Sequence, residues 1–363
     1  MGEGTPAGPL TGPVLVVGAG LLGTSLGLAL GRQGIDVLLR DVSPQNVEIA
    51  ASLGAGTAED TASGEPQLVV VAVPPDHLAD EIVDALTTSD AVVTDVGSVK
   101  GAPLRDVAAR VSPDRLARYV GSHPMAGSER SGPFAASSAL FDGRPWALTP
   151  HPGASREAVE VVTALAHACG ATPVTMTPEE HDAAVARTSH LPHLLAALVA
   201  GRLTDAPASH LALSGQGVRD VTRIAAGDPT LWQQIIAGNA EAVAGLLADV
   251  RADLDELLDA VRSDSRARVA ALLERGVEGR AAIPGKHGGP AQATACVYVA
   301  VPDHPGELAR LLGDAGQIGV NVEDLHIDHD PGRPVGLVEL TVAADRADFL
   351  VESLEARGWT THR

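Results

Sequence analysis

The chain has 363 residues with 46 acidic side chains, 26 Lys plus Arg and a formal charge of −20, and it carries only three Trp, two Tyr and three Phe. That balance lacks both the basic footprint and the stacking platforms of nucleic-acid binders, and it disfavours anionic membrane surfaces. An apolar share of 45% fits a folded chain of about two or three domains, while two cysteines, Cys169 and Cys296, exclude a disulfide framework and a zinc motif and point to the cytoplasm.

The N-terminal MGEGTPAGPLTGP has no basic segment followed by an apolar run, and no window reaches the apolar length of a membrane span. Neither a signal peptide nor a transmembrane helix is expected. From Val14 the chain reads as short, continuously apolar strands at 14–17, 35–39, 68–73, 91–95, 119–121 and 146–149, separated by helical or Gly/Pro segments. Runs of this kind predict a parallel sheet covered on both faces, a doubly wound α/β domain. A helix over 155–169 and a strand over 173–177 close this Rossmann unit, residues 1–177.

From Pro178 apolar residues recur at helical spacing through 180–203, 211–226, 229–263 and 265–274. Their content exceeds one amphipathic face, which predicts an all-α unit, residues 178–290 with its Gly/Pro linker, that packs against a second copy in a homodimer. Beyond it, 291–363 alternates as a strand at 294–300, a helix at 306–316, strands at 320–328 and 336–342, and a helix at 347–357, with room for a last strand. That order predicts a small α+β domain of ferredoxin-like plan.

Gly18, Gly20 and Gly23 form G-x-G-x-x-G between a predicted strand and a predicted helix, where backbone N–H groups can meet a pyrophosphate. Leu21, Leu22, Val73 and Pro74 belong to the same ligand edge. Asp41 stands where an acidic residue accepts from the adenosine ribose and favours NAD; the adjacent Arg40 leaves NADP open. Asp95-Val-Gly-Ser-Val-Lys100 ends another strand on that edge, and Lys100 either faces the cofactor or caps the loop. Alone, His123 before Pro124 reads as a loop histidine, and Arg223 reads equally as an exposed partner of Asp220. Trp232 reads as packed, Asn239 as hydrogen-bonded, and His326, Asp328 and His329 as a surface strand.

Four motifs taken together carry more. Gly121-Ser-His-Pro-Met-Ala-Gly-Ser-Glu-Arg-Ser-Gly132, the Asp95–Lys100 loop, His190-Leu-Pro-His193 and Asp220-Val-Thr-Arg-Ile-Ala225 closely resemble the prephenate/arogenate dehydrogenase family of tyrosine biosynthesis, over roughly residues 12 to 280. Val301-Pro-Asp-His-Pro-Gly-Glu-Leu308 and Val320-Asn-Val-Glu-Asp-Leu325 resemble an ACT amino-acid-sensing domain. The resemblance implies NAD-dependent oxidative decarboxylation of prephenate, with arogenate dehydrogenase as the alternative and a non-catalytic amino-acid sensor on the same scaffold as a remote one. It implies His123 as base, oriented by Ser98. Arg223, His193, His190 and Glu129 would meet the substrate, and no metal is needed. In the ACT-like segment Asp303, Pro305, Gly306 and Asn321 would form the regulatory contact, with tyrosine as the feedback ligand.

Overall fold

The computed structural model describes residues 10–61, 64–127, 131–283, 293–329 and 335–363, so Glu129 and most of the expected linker lie outside the described residues. Two compact units are present, one ending at Ala252 and the other spanning Asp253–Arg363. The first therefore takes in both the dinucleotide-type sheet and most of the helical segment.

Its sheet has eight strands, β1 Val14–Val17, β2 Val37–Arg40, β3 Thr57–Ala58, β4 Leu68–Val71, β5 Val92–Asp95, β6 Tyr119–Pro124, β7 Pro145–Thr149 and β8 Thr172–Thr175, in the order β3-β2-β1-β4-β5-β6-β7-β8. Val14 and Val16 of β1 pack into one core with Leu26 and Leu30, while Leu15 and Val17 pack into another with Leu78 and Ile82. Both faces of β1 are thus covered, which is why its run is continuously apolar. The covering helices are α1 Leu21–Gly31, α2 Pro44–Ser52, α3 Pro75–Thr88, α4 Gly101–Ala108, α5 Pro113–Leu116 and α6 Arg156–Ala168.

The expectation of an all-parallel sheet needs correction. β6 and β7 pair antiparallel, with His123 opposite Ala147, and β8 then runs parallel to β7. No α-helix lies between β6 and β7 among the described residues, and without a crossover helix the chain returns antiparallel. This pairing also carries β6 on to Pro124, past the predicted end at 121, so that His123 stands in a strand.

The helical segment contains α7 Pro178–Val185, a π-turn Ala186–His190, α8 Leu191–Gly201, α9 Ala208–Leu211, α10 Gln216–Thr222, a 3-10 turn Arg223–Ala226, α11 Pro229–Gly238 and α12 Ala240–Arg262, which runs across the boundary at Ala252. Thr177 and Glu180 close a capping box at the start of α7. Leu198, Leu213 and Val221 are exposed.

The second unit begins with the end of α12 and α13 Arg266–Ala281, followed by β9 Thr294–Pro302, α14 Glu307–Ile318, β10 Asp324–His329, β11 Val335–Ala343, α15 Ala347–Glu355 and β12 Thr360–His362. Its four strands form an antiparallel sheet in the order β10-β11-β9-β12, and Val297, Val299 and Leu340 pack with Leu311 and Leu350 of the two helices. The last strand for which the sequence leaves room is β12. Among the described residues no helix is long and apolar enough to cross a membrane.

Candidate active site

The glycine turn after β1 is shaped by contacts that only glycine tolerates. Gly18 has φ +104°, and a Cβ there would lie 2.5 Å from the carbonyl oxygen of Ala72; one on Gly23 would lie 1.8 Å from that of Gly18. Gly20 meets nothing within 4 Å. It is the N-cap of α1, whose first turn has no side-chain cap and no acidic residue. A turn packed tightly behind and open in front, with free helix N–H groups, fits a pyrophosphate. Val73 and Pro74 continue directly from Ala72, which abuts Gly18, and Leu21 and Leu22 open α1.

Asp41 follows β2. Its carboxylate accepts from the backbone N–H of Ala19 at 2.7 Å and of Ser43 at 2.8 Å, so it is held beside the glycine turn. Arg40, which leaves NADP open in the sequence, turns to Glu59: its Nε and Nη2 donate to the two carboxylate oxygens at 2.5 and 2.6 Å.

Deeper along the carboxyl edge, β5 ends on Asp95, which is wholly buried. Tyr119 donates its hydroxyl to Asp95 at 2.8 Å, Gly97 donates its N–H at 3.0 Å, and the Lys100 ammonium forms a short ion pair with the same carboxylate. Lys100 is 1% exposed and also donates to the carbonyl oxygen of Ser122 at 2.7 Å. Burial lowers the Lys100 pKa and the Asp95 charge works against that fall; burial, with the same charge, pushes the Tyr119 phenol well above its ordinary range. Lys100, which the sequence leaves facing the cofactor or capping the loop, stands at the N-terminus of α4 with its side chain buried against Asp95 and Ser122. Ser98 sits partly exposed in this loop, and among the described residues it has no hydrogen bond to His123.

The partner of His123 is His181. The Nδ1 of His123 lies 3.0 Å from His181 Nε2, the rings meeting edge to face, and His181 Nδ1 lies 2.9 Å from an Asp182 carboxylate oxygen. A carboxylate only accepts, so His181 donates to it from Nδ1; the tautomer in which His123 can act as a base has His181 accepting at Nε2, His123 donating from Nδ1, and the His123 lone pair on Nε2. Asp182 additionally accepts from the backbone N–H of Lys100 and of Gly101, both at 2.8 Å, capping α4 from α7. Burial alone would raise the Asp182 pKa, but the bonds from His181, Lys100 and Gly101 outweigh it and hold it below the usual carboxylate range.

Burial, and then the charges of His181, Lys100 and His190, lower the pKa of His123 well below 6.5. A base depressed in this way stays neutral at pH 6.5 and is lost only in more acid solution. The acidic limb of kcat/KM is accordingly expected below pH 6.5, and a limb at or above that value in a pH 5 to 8 profile would remove His123 as the group it reports.

Around the helical segment, Trp232 gathers both histidines of His190-Leu-Pro-His193. His193 stacks on its ring at 3.6 Å, and His190 meets it edge-on at 6.1 Å; burial lowers the His193 pKa and the nearby backbone of Ile224 works against that fall. Asn239 donates to the carbonyl oxygen of Asp182 at 2.8 Å and faces His190 Nδ1 at 3.3 Å. Burial pushes His190 down to about 4, so its ring is neutral near pH 7. Arg223 opens the 3-10 turn that contains Ile224; it is exposed and has no ion pair among the described residues, since Asp220 accepts instead from Gln216 at 2.7 Å. No group of three or more His, Cys, Asp or Glu among the described residues is placed to hold a metal ion.

His181 and Asp182 are the site residues that sequence reasoning missed. They stand in an ordinary helix start, Pro-Glu-Glu-His-Asp, and the one signal is an adjacent His-Asp pair just after a capping box. In the second unit, Asp303, Pro305 and Gly306 are exposed before α14, with Gly306 at φ +92°, and Asn321 donates to Glu323 at 2.7 Å. His326, expected on a surface strand, stands opposite Glu339 and is only partly exposed, its Nε2 buried without a hydrogen-bond partner among the described residues.

The models for the prephenate dehydrogenase nucleotide-binding domain and the prephenate dehydrogenase dimerization domain match residues 26–175 and 177–275. A probable prephenate dehydrogenase of Streptomyces niveus is 38% identical over 357 residues, covering 95% of this chain and 98% of that protein. The prephenate dehydrogenase of Bacillus subtilis is 28% identical over 94% and 95%. Among solved structures, the prephenate dehydrogenase of A. aeolicus in complex with hydroxyphenyl propionate and NAD+ is similar at TM-score 0.64 and 29% identity, covering 74% of this chain and 96% of that one. Synechocystis arogenate dehydrogenase is similar at TM-score 0.62 and 26% identity, with 74% and 98% covered.

Proposed function

The chain belongs to the prephenate dehydrogenase family, and on that premise we propose that it oxidises and decarboxylates prephenate to 4-hydroxyphenylpyruvate with NAD. The observation that carries this reading is the Asp182–His181–His123 chain at the carboxyl edge of a sheet whose glycine turn fits a pyrophosphate. When bound, NAD supplies the two-electron acceptor. The protein's share is proton movement and positioning. His123 Nε2 takes the proton of the ring hydroxyl, and the imidazolium that forms is stabilised through His181 by the Asp182 carboxylate. Loss of the ring carboxylate as CO2 aromatises the ring. Ser98, in the loop pinned by Asp95 and Lys100, stands on the same edge to orient the reacting groups.

Arg223 is assigned to a substrate carboxylate because its guanidinium is exposed and not committed to Asp220. Arg223→Ala is expected to raise KM for prephenate by about tenfold or more, with kcat little changed, because a hydrogen bond to a charged group contributes about 1.5–3 kcal/mol in ground and transition state alike. An unchanged KM would place the carboxylate partner elsewhere. Neutral His190 and His193 line the pocket through shape and hydrogen bonding, and Glu129 is assigned to its entrance.

The deciding assay compares kcat/KM for prephenate and arogenate, each with NAD and NADP. Prephenate with NAD is expected to be highest; a clear arogenate preference would make the enzyme an arogenate dehydrogenase. The same reading assigns a homodimer to the exposed apolar residues Leu198, Leu213 and Val221. It assigns an ACT-type tyrosine sensor, with contacts at Asp303, Pro305, Gly306 and Asn321, to the C-terminal sheet and helices, and a reducing cytoplasm to the two free cysteines.

A further inference from the structure

Arg40 is the residue next to Asp41, and an arginine at that place accommodates a 2′-phosphate in dinucleotide sites. Here its guanidinium is occupied. Glu59, in a 3-10 turn Glu59–Thr61 directly after β3, takes both Nε and Nη2 in a bidentate pair at 2.5 and 2.6 Å. Asp84 of α3 stands 3.6 Å from Nη1, and Glu81 of the same helix adds its charge. Three carboxylates from two other elements thus surround one cation. Asp41 is committed on the other side, accepting from Ala19 and Ser43.

We propose that Glu59 is the residue that sets the choice of dinucleotide, by holding Arg40 in a bidentate pair so that a ribose beside Asp41 meets a carboxylate and not an available guanidinium. The inference rests on the reading of the glycine turn as a nicotinamide-dinucleotide site. The physical logic is competition: a 2′-phosphate placed here would have to displace a geometrically matched carboxylate from Arg40 while sitting beside Asp41, and Glu81 and Asp84 add to the repulsion. NAD, with a 2′-hydroxyl, needs nothing from Arg40 and can donate to Asp41. Glu59 is distant in sequence from every ligand-type motif, yet it decides whether the one arginine that invites NADP is available.

The test is a fluorescence titration of the full-length protein with NADH and with NADPH in the absence of substrate, followed by kcat/KM with both oxidised cofactors. In Glu59→Gln the Kd for NADPH is expected to fall by about tenfold or more, the effect of one new charge-assisted hydrogen bond between Arg40 and the 2′-phosphate, while the Kd for NADH moves less than about threefold. In Arg40→Met/Glu59→Gln that tighter binding is expected to vanish. Arg40→Met on its own, which removes a partly exposed side chain and does not depend on the behaviour of the Glu59 variant, is expected to leave the NADH Kd within about threefold and to weaken NADPH binding or leave it as it was, since Glu59, Glu81 and Asp84 then lack their cation. An unaltered NADPH Kd in Glu59→Gln with NADH still bound would overturn the proposal, as would NADPH binding tightened by Arg40→Met alone. A wild-type protein that binds neither dinucleotide would overturn the cofactor reading and this inference with it. NADH binding without turnover of prephenate would overturn only the substrate reading, and the Kd comparison would still decide the role of Glu59.

Discussion

Replacing His123 by Asn is expected to lower kcat by about 10²- to 10⁴-fold, the contribution of a positioned general base, with little change in the Kd for NADH. The size follows from what the amide cannot do. Asn can fill the space and donate toward His181, but it has no lone pair basic enough to take a hydroxyl proton near neutral pH. In the native site that lone pair is committed by three residues. Asp182 only accepts, so His181 donates to it from Nδ1; with His181 accepting at Nε2, His123 donates from its Nδ1, which leaves Nε2 as the basic nitrogen. Burial and neighbouring positive charge keep His123 neutral at working pH. The measurement is single-turnover formation of NADH with saturating prephenate. A kcat within about threefold of wild type would remove His123 from the proton transfer, whatever its place in the hydrogen-bonded chain.

Lys100→Met is expected to cost about 3–5 kcal/mol of stability, because it leaves the Asp95 carboxyl in the interior without its cation. Asp95 keeps Tyr119 and Gly97 as donors, but neither carries charge. The buried pair itself need not be a net gain over an apolar core; what is costly is removing half of it. For a unit of this size the loss corresponds to a fall in Tm on the order of 10 °C, read by thermal unfolding of the full chain. A loss below about 1 kcal/mol would mean that another group neutralises Asp95 once Lys100 is gone. Activity is expected to fall as well, since Lys100 holds the carbonyl oxygen of Ser122, next to His123, and Asp95 holds the turn that carries Ser98.

These two residues separate what is legible in the sequence from what is not. His123 can be picked out because it lies within a long continuous motif. Lys100, five residues from Asp95 in the same loop, is visible as a side chain without a defined role, because nothing in a loop sequence says that it is 1% exposed. For Arg223 the sequence allows pairing with Asp220 or binding a ligand, and the fold settles the first alternative by giving Asp220 to Gln216. Trp232 and Asn239 read as a packed ring and a hydrogen-bonded amide; both descriptions hold, and both residues pack against the candidate site.

By itself the sequence determined the dinucleotide-type sheet, the glycine turn, the helical segment after Pro178 and the β-α-β-β-α-β order of the C-terminal unit. Apolar periodicity and the steric needs of glycine act over a few residues, so they can be read locally. Only the tertiary structure decided that β7 returns antiparallel beside β6, that His181 and Asp182 stand behind His123, and that Glu59 holds Arg40. The Arg40–Glu59 and His123–His181 pairs join polar groups separated by 19 and 58 residues. A polar side chain carries no periodic mark of its partner, and which two meet is set by the packing of the apolar elements that bring them together.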